Sequence, residues 1–127
     1  MGVSFGAEFV PIYLKHPDVD SLVLVDTDRA LLDKIGDKFL LEERLTDFGA
    51  MLADETIDAV HLVTPPATHA PLSVKALNAG KHCACTIPMG MTIDAVSYTH
   101  LDVYKRQVFC LLYHGKKDAS MAALFML

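Results

Sequence analysis

Two short stretches of this chain carry residue types suited to holding a phosphorylated sugar. Gly2-Val3-Ser4-Phe5-Gly6-Ala7 is a glycine-rich turn just ahead of an amphipathic segment. Small residues at such a turn let backbone N–H groups come close to phosphate, and the following helix start leaves N–H groups unpaired. The second stretch, Ser21 to Asp28, reads Ser-Leu-Val-Leu-Val-Asp-Thr-Asp. Its apolar run Leu22 to Val25 predicts a short strand buried on both faces, and it stops on the acid Asp26. A carboxylate at that tip needs a partner. About 20 residues past a glycine-rich turn, such an acid hydrogen-bonds a ribose 2′-OH in doubly wound folds. The other reading of Asp26 is a cap on the next helix.

Further residues of interest follow at turns. Thr64-Pro65-Pro66 ends one strand-like run, with His69 five residues after Thr64, and Thr86-Ile87-Pro88 ends another. His69 is either a helix-start histidine serving local hydrogen bonds or a ligand-facing one. His61 lies inside a strand and reads as a core or sheet-face residue. His82, Cys83 and Cys85 raise the question of a metal, but Cys-x-Cys is not a zinc-finger spacing and no second pair exists. Alternation places both thiols on one sheet face as small buried hydrophobes. Asp33, Lys34, Asp37 and Lys38 read as a solvated helix face, and Glu42-Glu43-Arg44 as surface.

The elements that must position these groups alternate. Ala7 to His16 is apolar at helical spacing, with Pro11 tolerable in a first turn starting near Glu8. After the strand at Ser21–Val25, Thr27 or Asp28 can cap a helix burying Leu31, Leu32, Ile35 and Phe39. Gly36 suits a left-handed residue at its C-terminal end. A short strand is expected at Arg44–Thr46 and a short helix over Asp47–Asp54. A clear strand follows at Ile57–Val63. Thr68 is expected to cap a helix reaching Ala79, with Pro71 in its first turn and Gly80 just beyond. Lys81–Cys85 is a third strand, short and built of small residues, and Thr92–Ala95 starts another helix that does not develop. Helices and strands joined by short connections predict a parallel α/β fold, whose ligands bind beyond the carboxyl ends of the strands. A strand should precede the glycine turn, yet the sequence opens on the turn, which leaves a gap beside Leu22–Val25 and exposed sheet edges.

Composition narrows the function classes. The 127 residues, 52% hydrophobic, suit one domain with a real core. A net charge of −5 with no basic cluster argues against nucleic acid. No apolar run is long enough for a bilayer helix. Three cysteines and no secretory signal lead to the expectation of a cytoplasmic protein.

The ordered set Gly-Val-Ser-Phe-Gly, Val-Asp-Thr-Asp, Val-Thr-Pro-Pro-Ala-Thr-His, and Ala-Leu-Asn-Ala-Gly-Lys-His followed by Cys-Thr-Ile-Pro resembles the Gfo/Idh/MocA family of NAD(P)-dependent oxidoreductases. The resemblance covers its N-terminal Rossmann domain, over about Gly2 to Ala95. It implies a doubly wound parallel sheet lacking its first strand and the family's second, substrate-binding domain. It also implies a small-molecule dinucleotide as partner, NAD with NADP as the alternative, and leaves room for a homo-oligomeric parent. By this resemblance the cofactor residues are Ser4, Phe5, Gly6, Asp26, Thr64, Pro65, His69, Thr86 and Pro88. The parent would pass a hydride to or from a hydroxyl or carbonyl carbon, most often of a sugar-like molecule. Three departures stand out. The glycine turn is one residue short, Ile87 replaces the family's lysine, and no catalytic residue carries over. The chain alone is therefore expected to be inactive, and the rival readings are a non-catalytic nucleotide- or partner-binding module and a non-functional fragment that does not fold stably.

The segment from Val96 to Gln107 back-translates into a self-complementary DNA sequence. That sequence resembles two transposon ends used in sequencing-library preparation, joined head to head. The expected division is thus a partial NAD(P)-binding domain over 1–95, an artefactual linker over 96–107 and a tail of unrelated origin over 108–127. The tail's apolar pieces could pack as a helix or strand or expose a sticky end.

Overall fold

A computed structural model describes residues 6–97 and 121–126. Phe9 opens the first α-helix, α1 (Val10–Leu14), after a 3-10 turn at Gly6–Glu8, so Pro11 does fall in a first turn, where its missing N–H costs nothing. Strand β1 (Val19–Val25) follows, then α2 (Arg29–Phe39), β2 (Arg44–Leu45), α3 (Phe48–Ala53), β3 (Ala59–Leu62), α4 (Pro66–Asn78), β4 (His82–Cys85) and β5 (Met121–Met126). A helical turn over 93–97 is capped by Thr92, whose hydroxyl accepts the Ala95 amide at 3.1 Å.

The five strands form one sheet in the order β2-β1-β5-β3-β4, and every pairing is parallel. Alternation along β1 divides the core between its two faces. Leu22 and Leu24 pack with Val10, Leu32 and Ile35 under α1 and α2. Val23 and Val25 pack with Met51, Val60, Leu62 and Ala76 under α3 and α4. Helices thus cover both faces, which is the doubly wound arrangement expected from the alternation of elements.

The gap expected beside Leu22–Val25 is filled. β5, from the far end of the chain, pairs with β1 from Val19 to Val25 and with β3 from Ala59 to Leu62. Its sequence, Met-Ala-Ala-Leu-Phe-Met, is apolar throughout, as a strand paired on both edges of a helix-covered parallel sheet requires.

Three local expectations are corrected. Gly36 is not the left-handed residue; it lies buried inside α2, and a Cβ there would collide with the Arg44 guanidinium. The left-handed position falls on Leu40, with φ of 57°. Thr68 does not cap α4, because the helix already begins at Pro66, and the Thr68 hydroxyl bonds back to the Pro65 carbonyl at 2.7 Å. Pro71 therefore sits inside the helix rather than in its first turn. Gly80, with φ of 82°, does take the left-handed turn after α4.

Candidate functional site at the carboxyl edge of the sheet

The parallel register places Val25, Met126, Leu62 and Cys85 in one row across the sheet. Asp26, Thr64 and Thr86 follow these strand ends, so all three emerge from the same edge. At about 4.8 Å per strand, the tip of β1 stands about 10 Å from that of β3 and about 15 Å from that of β4.

Asp26 is buried, and its Oδ1 accepts the Asp28 amide at 2.8 Å. The helix cap is Asp28, whose own carboxylate accepts the amides of Ala30 at 3.0 Å and Leu31 at 3.2 Å. The cap reading of Asp26 is thereby corrected: the neighbouring acid does that work. The second oxygen of Asp26 accepts no hydrogen bond from the described residues and is not a buried orphan. It is left at the edge to receive a donor from outside, such as a hydroxyl.

The β3 and β4 turns meet at His69. This ring is 1% exposed, with Nδ1 at 2.7 Å from the Pro88 carbonyl and Nε2 at 2.6 Å from the Thr64 carbonyl. Thr86 sits beside it, its hydroxyl donating to the Leu62 carbonyl at 3.2 Å and lying 3.5 Å from Nε2. The structure thus brings Thr64, His69, Thr86 and Pro88 together, with Pro65 exposed at the start of α4. Gly6 is buried in the 3-10 turn. Ser4 and Phe5 lie outside the described residues. Ile87 is 90% exposed and carries neither charge nor donor at this edge.

The remaining chemistry-bearing residues are structural. His61 accepts or donates a 3.1 Å bond with the Tyr13 hydroxyl and meets the Phe9 ring edge-on at 5.0 Å. Burial lowers its pKa from the ordinary histidine value. Burial also pushes the Cys83 thiol up to about 11, and raises Cys85. Among the described residues no group of histidine, cysteine or acidic side chains could hold a metal ion.

Two polar residues were missed in the sequence. Lys81 is buried and its ammonium donates to the carbonyls of Asp54 and Ile57, both at 2.7 Å. Arg44 is no surface residue: its guanidinium packs over Gly36 and pairs with Asp33 at 3.1 Å and Asp37 at 2.8 Å. Hydrogen bonding from Arg44, and secondarily from Arg29, holds the Asp33 carboxyl below the usual range. The glycine inside a helical pattern was the available signal for Arg44, since such a glycine needs a packing reason. Lys81 lines a cavity of about 410 Å³ with Ile57, Asp58 and Gly80. It opens at the amino edge of the sheet, away from the strand tips considered above.

With this geometry in place, comparison with known proteins is decisive. A family model described as the oxidoreductase family with an NAD-binding Rossmann fold matches residues 1–113. The chain belongs to the Gfo/Idh/MocA family. The match extends beyond Ala95, the boundary expected from the sequence. Among solved structures of this family's fold, scyllo-inositol dehydrogenase from Lactobacillus casei, with NAD(H) and scyllo-inositol bound, is 30% identical. It superposes with a TM-score of 0.68 over 79% of this chain and 29% of its own. KijD10, a 3-ketoreductase from Actinomadura kijaniata in complex with TDP-benzene and NADP, shares the fold at a TM-score of 0.67 and 21% identity, over 76% of this chain and 30% of its own. The oxidoreductase YrbE of Bacillus subtilis is 27% identical over 72% of this chain and 27% of its own length. A glycosyl hydrolase family 109 protein of Shewanella baltica is 27% identical over 60% of this chain. The chain spans less than a third of each of these relatives, and only 18% of the last. As a Gfo/Idh/MocA member it is an NAD-binding oxidoreductase domain. Among the described residues no helix is long and apolar enough to cross a membrane.

Proposed function

We propose that the carboxyl edge of this sheet binds NAD, with the free oxygen of Asp26 accepting the adenosine ribose hydroxyls. Thr64, Pro65, His69, Thr86 and Pro88 then form the wall toward the nicotinamide, and Ser4, Phe5 and Gly6 the turn under the pyrophosphate. The observation that carries this reading is the single row of strand tips, with a buried acid at one end that keeps one oxygen unbonded. A carboxylate there accepts two hydroxyls and repels a 2′-phosphate, which favours NAD over NADP. When bound, the nicotinamide supplies the hydride chemistry, and this chain holds and orients it.

The whole protein would act, in the cytoplasm, on a polyol or sugar-like substrate, and the 30% identical inositol dehydrogenase supports that substrate class. Residues 1–95 would carry the cofactor-binding part of that activity, with 96–127 of separate origin. The chain by itself would turn over no substrate. Ile87 favours a second reading, a domain that binds a dinucleotide without catalysis, since an isoleucine cannot transfer a proton or hold a charge.

Calorimetric titration with NAD and NADP tests the binding. Asp26→Ala removes hydrogen bonds to a charged acceptor, worth about 1.5–3 kcal/mol, so NAD affinity should fall about 10–100-fold. Equal affinity of the wild type for NADP and NAD would count against the assignment of Asp26. Joining the chain to a family substrate domain and assaying NADH formation separates the two readings: turnover supports the first, binding without turnover the second.

A further inference from the structure

The strand at the centre of the sheet is the one the chain reaches last. β5 is flanked by β1 and β3, and both of its pairings are parallel. Among the described strands it alone lies wholly beyond the family match, which ends at residue 113. The slot it fills is one strand wide, with about 10 Å between β1 and β3. Both walls of that slot are backbone edges, from Val19 to Val25 on one side and from Ala59 to Leu62 on the other. Such edges recognise an extended segment by its N–H and C=O groups and by its apolar pattern. Neither feature distinguishes residues 121–126 of one copy from the same residues of another. Residues 98–120 join β5 to the rest of the described chain. A connection of that length reaches up to about 75 Å when extended, about twice the roughly 35 Å width of a domain this size.

We propose that the slot between β1 and β3 is a strand-receiving site whose partner is a second copy of this chain. Two copies pass residues 121–126 into each other's sheets, and the mutual exchange closes the pair with no slot left open. The exchanged pair makes the same backbone bonds as the single chain, so concentration sets the choice between them. A flexible connection holds its own strand at an effective concentration of about 1 mM, and a second copy competes at that level. Met126 stands in register with both Val25 and Leu62, between the strand ends that lead to Asp26 and Thr64. In the exchanged pair each copy therefore completes the middle of the other's carboxyl edge.

The full chain tests this without any substitution. It is unfolded in urea and refolded at about 5 µM and at about 1 mM, the second matching the effective concentration of the tethered strand. Both samples are then brought to the lower concentration and sized by sedimentation velocity. The dilute sample should be monomeric, and the concentrated one should hold about half its chains as dimers. Those dimers should persist for hours, because parting them breaks every pairing of β5. Monomers alone in both samples, or dimers that dissociate within minutes of dilution, would overturn the proposal. The register supplies a covalent check, since Val23 and Leu124 are partners across β1 and β5. Neighbouring strands bring such partners within disulfide range. A Val23→Cys chain and a Leu124→Cys chain are refolded together at the higher concentration, oxidised and digested with trypsin. Mass spectrometry should find positions 23 and 124 joined, a bond that these two chains can form only between copies. Dimers lacking that bond would show the copies meeting by another surface and would overturn the proposal.

Discussion

At the scale of single residues, burial decides which polar groups can react. Cys83 sits in the core under α4 with its thiol pushed up to about 11, so at pH 8 almost none of it is thiolate. Iodoacetamide should therefore label it far more slowly in the native chain than in urea, as mass spectrometry of tryptic peptides would read. His61 gives a pH dependence with a definite sign. Burial lowers its pKa in the folded state below the unfolded value near 6.5, so the folded state resists protonation. The stabilising difference is present above about pH 6.5 and is lost as pH falls through the lower folded value. Thermal melts from pH 7.5 down to 5.5 should show this loss, and His61→Gln should flatten it. The same residues show what a sequence can convey. Alternation alone put Cys83 and Cys85 on one face and His61 in the sheet, because side-chain direction in a strand is local. That Asp28, rather than Thr27 or Asp26, caps α2 depended on the local backbone turn, and two acids two positions apart look alike in sequence.

At the scale of elements, boundaries were legible where a cap or a breaker marks them. Asp47 accepts the amides of Gly49 and Ala50 and starts α3, and Gly80 ends α4, both near the expected positions. They failed where a long-range contact intrudes. Gly36 looked like a helix terminator, but its missing side chain makes room for Arg44, eight positions away and from another element. Gly36→Ala should destabilise the chain by about 1–3 kcal/mol through overpacking against that guanidinium, measured by urea denaturation. Leu40 supplies the complementary case. It is 88% exposed, so its side chain contributes little, while its backbone adopts the left-handed conformation that costs a non-glycine residue about 1 kcal/mol. Leu40→Gly should therefore raise stability by about that amount in the same measurement.

At the scale of the whole molecule, the doubly wound plan followed from the order of apolar runs, since each helix-strand alternation leaves few ways to cover both faces of a sheet. What the order of runs could not convey is which strand completes the centre. β5 is last in sequence but lies third of five across the sheet, and no local pattern near Met121 encodes partners a hundred residues away. Because β5 joins β1 to β3, a chain ending before Met121 should lose cooperative unfolding, seen as a broad, shallow melt by circular dichroism. Lys81 secures the other end of the same framework. Lys81→Met would leave the Asp54 and Ile57 carbonyls without their shared donor and cost about 1–3 kcal/mol, read by urea denaturation. The account stands or falls on which edge of this sheet receives the dinucleotide. Amide NMR of the labelled chain during NAD titration answers that directly. Shifts concentrated at Asp28, Thr64 and Thr86 are the result expected, whereas shifts confined to Asp58, Gly80 and Lys81 around the amino-edge cavity, or none at all, would contradict it.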